Sequence, residues 1–77
     1  MFYQLINETT IRKAPKPIKI DGKDVFTNSE KIHNEQGYFR LLTSDYPQDE
    51  KYYEARYELQ DNVIVQSWVE VEINEVM

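Results

Sequence analysis

The chain has 77 residues, no cysteine and a single histidine, so disulfides, thiolate metal sites, cysteine nucleophiles and paired-histidine centres are excluded. Its 14 acidic and 9 basic residues give a net charge of −5, which argues against non-specific binding to nucleic acid or to anionic membranes. No apolar run approaches the roughly 20 residues of a membrane span, and no signal-peptide pattern follows Met1, so the expectation is one small soluble domain, residues 1–77, inside the cell.

Phe2 to Ile6 suits a first strand, with Phe2, Gln4 and Ile6 on one side and Tyr3 and Leu5 on the other. Asn7 to Pro17 reads as a loop or irregular edge, because Pro15 and Pro17 lack the N–H that a central strand needs. Ile18-Lys19-Ile20-Asp21-Gly22-Lys23-Asp24-Val25 carries the strongest local signal. Asp-Gly between short apolar runs favours a two-residue type I′ turn, which sets Ile18 opposite Val25 and Lys19 opposite Asp24. The hairpin is expected over residues 18–26.

Thr27-Asn28-Ser29-Glu30 then offers a helix start. Thr27 and Glu30 fit a capping box, Asn28 or Ser29 could cap instead, and Gly37 can end the helix in the left-handed region. A short helix over about 28–36 follows, with Ile32 its one strong apolar residue. His33, without a second histidine or a carboxylate at ligand spacing, reads as an ordinary solvent-exposed side chain. From Tyr38 the period becomes two, giving a strand through Thr43, and Ser44 to Glu50 is a polar loop.

The last third reads as a long hairpin over residues 52–73. Tyr53, Ala55, Tyr57 and Leu59 are odd-numbered, as are Val63, Val65, Val69 and Val71. A two-residue loop at Asp61-Asn62 would split these apolar rows between opposite faces. A three-residue loop, Gln60 to Asn62, keeps them together and pairs Leu59 with Val63 and Tyr57 with Val65. That register places Trp68 with Ile64, Glu54, Arg56 and Glu58, and brings Arg56 within reach of a cation–π contact. The fold class is therefore α+β: an antiparallel sheet of about four or five strands with one short helix.

No pattern for catalysis emerges. The serines stand in no nucleophile elbow, and Glu54, Glu58, Glu70 and Glu72 read as a solvated polar face rather than an acid–base pair. The expectation is a non-enzyme with no cofactor and no metal. Charge is uneven: residues 1–44 carry +2 and residues 45–77 carry −7. The acidic half also holds Tyr46, Tyr52, Tyr53, Tyr57 and Trp68, side chains that dominate interface energies. Trp68, Ile64, Arg56, Tyr53, Tyr57, Glu54, Glu58 and Glu70 are thus the candidate interaction residues, for a protein partner or for a second copy in a homodimer.

Taken in order, Pro17-Ile18, Asp21-Gly22-Lys23, Thr27-Asn28-Ser29, Gly37-Tyr38, Tyr46-Pro47, Tyr53-Glu54 and Gln66-Ser67-Trp68 form a layout over residues 17 to about 72. It resembles small proteins of phages and integrated prophages, often encoded near tail genes and sometimes heading a longer tail-fibre-associated chain. The resemblance implies no catalytic residues. It implies a phage- or prophage-derived protein acting by protein–protein contact, such as an accessory tail or assembly component, in the cytoplasm of a bacterial host or on the virion. The alternative expectation is an acidic inhibitor that mimics nucleic acid and blocks a host nucleic-acid-binding enzyme.

Overall fold

A computed structural model describes residues 1–72. In chain order the elements are β1 (Phe2–Asn7), β2 (Thr10–Lys13), β3 (Ile18–Ile20), β4 (Lys23–Val25), α1 (Glu30–Glu35), β5 (Phe39–Leu42), β6 (Tyr53–Gln60) and β7 (Val63–Glu70). Five strands form one sheet in the order β2-β1-β5-β7-β6, and β3 and β4 form a separate two-stranded ribbon. With one short helix this is a small α+β fold. The end of the expected terminal hairpin, residue 73, lies outside the described residues.

The first hairpin follows its turn chemistry. Asp21 and Gly22 both take positive φ, 50° and 78°, as a type I′ turn demands, and Ile18 faces Val25 with Lys19 facing Asp24. An ion pair joins Lys19 to Asp24. The helix is capped by Ser29, whose Oγ accepts the Ile32 N–H at 3.3 Å, while Thr27 Oγ1 accepts the Ser29 N–H at 3.0 Å. Of the possible caps, this is the one that leaves Thr27 free to brace the turn before it. At the other end Gly37 has φ +88°, and the Tyr38 N–H donates to the His33 carbonyl at 2.8 Å. With Gly37 N–H on the Asn34 carbonyl this is a Schellman closure, the reason a glycine stands there.

The irregular edge expected after β1 is an edge strand, β2, which pairs with β1 from Tyr3↔Lys13 to Leu5↔Ile11 before Pro15 and Pro17 end it. Three features of the chain depart from expectation. The sheet is mixed rather than purely antiparallel, because β5 lies parallel to β7, with Leu41 beside Ile64. The terminal hairpin uses a two-residue loop: Asp61 and Asn62 sit at φ 48° and 62°, and Gln60 pairs with Val63 and Leu59 with Ile64. Asp and Asn are the non-glycine residues that enter the left-handed region most readily, so two of them in succession can make a type I′ turn. Finally, His33 is buried, with only 6% of its surface exposed.

The two-residue turn moves the apolar rows apart. Tyr53, Ala55, Tyr57 and Leu59 share a face with Ile64, Gln66, Trp68 and Glu70, whereas Glu54, Arg56, Glu58 and Gln60 share the opposite face with Val63, Val65, Ser67 and Val69. This split is tolerated because both faces are partly covered. On the first face, Leu41, Phe39, Tyr3, Leu5 and Ile11 continue the apolar row through β5, β1 and β2. The sheet curls about this row, and the Tyr57 N–H donates to the Glu8 carbonyl across the curl at 2.7 Å. Ile64 at the centre is fully buried. On the second face the helix packs over β1 and β5: His33 stacks on Phe2 with ring centroids 4.0 Å apart, and Arg40 reaches Glu30 at 3.2 Å, while Ile18 and Val25 of the β3–β4 ribbon line one hollow with Phe2 and His33. Ile18 is the fully buried residue of this second cluster.

Two isoleucines therefore anchor two small cores on either side of one sheet. Replacing Ile64 by alanine is expected to lower the unfolding free energy by about 2–4 kcal/mol in denaturant titration, enough to leave so small a domain largely unfolded on warming.

Candidate functional site

The candidate site grows from a topological necessity. Because β5 pairs with β7, the connection from β5 to β6 must pass β7, and residues 43–52 make that passage across the face that carries Trp68. Ser44 fastens the start of the loop. Its N–H donates to Gln66 Oε1 at 3.2 Å, its hydroxyl to the Gln66 carbonyl at 2.9 Å, and its own carbonyl accepts the Trp68 indole Nε1–H at 2.9 Å. Trp68 is thus half-covered, with its polar atom satisfied by the strap.

Tyr46 folds back over the tryptophan. Its ring stands edge-on to Trp68 with centroids 5.0 Å apart and edge-on to Tyr53 at 5.8 Å, both favoured aromatic geometries. Tyr46 Oη accepts the backbone N–H of Tyr53 at 3.2 Å, tying the strap to the first residue of β6. Gln66 Nε2 in turn donates to Tyr57 Oη at 3.4 Å, so four of the aromatic residues of the acidic half belong to one connected corner. Tyr46 remains 42% exposed and forms its outer surface.

Acidic groups rim this corner. Tyr53 Oη donates to Asp49 Oδ2. That hydrogen bond, assisted by partial removal from water, pushes the Tyr53 phenol up to about 12, and the same bond holds the Asp49 carboxyl below its ordinary value. Lys51 bridges to Glu70 at 3.3 Å, and Asp45 and Glu50 are exposed nearby.

The sequence-predicted residues are only partly brought together. Trp68, Tyr53, Tyr57 and Glu70 meet on the strapped face. Ile64 shares that face but lies fully buried and offers nothing to a partner. Glu54, Arg56 and Glu58 sit on the opposite face, so Arg56 makes no approach to Trp68; its guanidinium instead donates to Glu54 Oε1 at 2.8 Å. That contact lowers the pKa of Glu54 and raises that of Arg56. The same division separates Glu54 and Glu58 from Glu70, and the carboxylates do not line up as one charged stripe. Tyr46 was missed as a member of the site, although an aromatic before proline in a loop otherwise rich in acids is a detectable signal. Among the described residues, no three His, Asp or Glu side chains converge as a metal centre requires.

Neither a protein-family model, nor a curated protein, nor a solved structure matches the chain.

The Asp49–Tyr53 bond makes its own prediction. Tyr53 should ionise above 10.0, toward about 12, in a residue-resolved NMR titration, and Asp49→Asn should return it toward 10.0. The stabilisation from Tyr53 is present below pH 10.0 and is lost as the pH rises toward about 12. That from Asp49 is present above pH 3.8 and is lost as the pH falls through the lowered carboxyl value.

Proposed function

We propose that the chain is a non-enzymatic, phage- or prophage-derived protein that acts by protein–protein contact through the strapped aromatic corner, as an accessory component of a tail or of its assembly. The phage assignment rests on the resemblance carried by residues 17 to about 72. The observation that supports contact as the mode of action is the corner itself. Tyr46 is exposed at its surface, Trp68 and Tyr53 hold it in one orientation, and acids ring the patch. Rigid aromatic side chains give up little conformational entropy on binding, and interfaces are enriched in them for that reason. The acidic rim selects a partner surface with basic residues around an apolar centre, and it speeds encounter more than it adds affinity.

Affinity capture from the native host, with and without phage induction, should retain a partner on the wild-type chain. Tyr46→Ala should weaken binding of that purified partner by about tenfold or more, with the far-UV circular dichroism spectrum unchanged. Binding by Tyr46→Ala equal to that of the wild type would sink the proposal. Light scattering addresses a second copy as partner: a dimer broken by Tyr46→Ala makes the corner a homodimer interface, whereas a strict monomer at high micromolar concentration removes that possibility.

A further inference from the structure

The second half of β7 is apolar on both sides. Ile64 and Trp68 belong to the strapped face, while Val65, Val69 and, just past the strand, Val71 lie on the opposite one. A strand with one face in water alternates apolar with polar residues, and apolar residues on both sides mark a strand covered on both. The helix is tied to the sheet at Arg40, level with Val63. Beyond that row Val69 stays 43% exposed, and Tyr52, which pairs with Val71, stays 58% exposed.

β6 lays polar groups beside this stripe in an order that is complementary to its own reverse. Across from Val65, Ser67, Val69 and Val71 stand Glu58, Arg56, Glu54 and Tyr52, all on the same face. A second copy can be set face to face about a two-fold axis that crosses both strands between the Ser67 and Val69 rows. Arg56 of each copy then lies over Glu54 of the other, Glu58 over Tyr52, Val65 over Val71 and Val69 over Ser67. Moving the axis by one position, onto the Ser67 row, would set Arg56 over Arg56 and Glu58 over Glu54. Like charges placed directly opposite repel, so charge selects the first register.

The arginine is prepared for two carboxylates. Its guanidinium already donates to Glu54 Oε1 of its own chain at 2.8 Å, and a guanidinium carries five donors in a planar fork. The helix, held at the Arg40 row, lies outside the rows that overlap, so it does not stand between the two sheets.

We propose that this face is a two-fold interface between two copies of the chain. Val65, Val69, Val71 and Tyr52 supply its apolar part, and Glu54 and Arg56 of both copies form a ring of alternating charges at its centre. The contact is isologous, as in most closed dimers, and leaves the aromatic corner on the other face uncovered. The patch is only two strands wide, smaller than a standard interface of about 1,600 Å², so the dimer is a weak one.

Sedimentation equilibrium and NMR of the intact chain between about 20 µM and about 1 mM test this. The wild type should pass from monomer to dimer, with concentration-dependent shifts at residues 52–58 and 65–71. Val69→Lys should weaken the dimer by about tenfold or more while its dispersed spectrum reports a folded monomer, because it sets two ammonium groups beside the axis. Tyr46→Ala should leave the dimer unchanged, which separates this face from the aromatic corner. Arg56→Glu and Glu54→Arg each place like charges opposite one another, and each alone should stay monomeric. Mixed in equal amounts they should form heterodimers, since each supplies the charge the other lacks although neither keeps its internal ion pair. A wild type that is strictly monomeric at about 1 mM, a mixture no more associated than its components, or a dimer dissolved by Tyr46→Ala would each overturn the interface.

Discussion

The parallel pairing of β5 with β7 is the constraint from which the rest of the molecule follows. It sets Leu41 beside Ile64 at the centre of the sheet. It also places the second strand of the terminal hairpin, not the first, against the body of the protein, so β6 becomes the outer strand. The chain leaving β5 must then travel over β7 before it can begin β6. Everything built around Trp68 is a result of that detour: Ser44 pinned to Gln66, the indole bonded to the Ser44 carbonyl, and Tyr46 laid across the ring. A purely antiparallel meander would have needed only a short turn and would have left the tryptophan bare.

The same pairing explains how so short a chain stays folded without a disulfide. A domain of this size cannot enclose one large core, and a two-layer arrangement with one solvated face would leave too little buried. Here each face of the central strands is used. Curling of the sheet closes one side over Ile64, and the helix with the β3–β4 ribbon closes the other over Ile18. Neither cluster is big, and each fully buried isoleucine is worth about 1.5–3 kcal/mol.

Local chemistry was legible in the chain, and long-range pairing was not. The β3–β4 hairpin was readable to the residue because Asp21-Gly22 and the cross-strand partners all lie within eight positions. The helix, its cap and the glycine that ends it were readable for the same reason. The terminal hairpin was recognised, yet its register was mistaken. The rule that apolar residues gather on one face presumes that only one face is covered, and here Val63 and Val65 are half-buried on the face opposite Ile64. Asp61-Asn62 carried the better signal. His33 was misread because nothing near it in sequence announces Phe2, which comes from the first strand. The candidate site divided accordingly: Trp68, Tyr53, Tyr57 and Glu70 came together, while Glu54, Arg56 and Glu58 followed the register to the other face.

The outward edge of β6 bears on how the protein avoids growing into fibrils. An outermost strand normally offers a row of unpaired N–H groups on which another chain can add, extending the sheet without limit. Along β6, two of these outward donors are already occupied. The Tyr53 N–H is bonded to the Tyr46 hydroxyl, and the Tyr57 N–H to the Glu8 carbonyl. An incoming strand would have to break both contacts before it could zip along the edge. The strap and the curl that shape the faces of this sheet thus also serve as edge guards, leaving side chains rather than backbone as the means by which this half of the molecule can meet another.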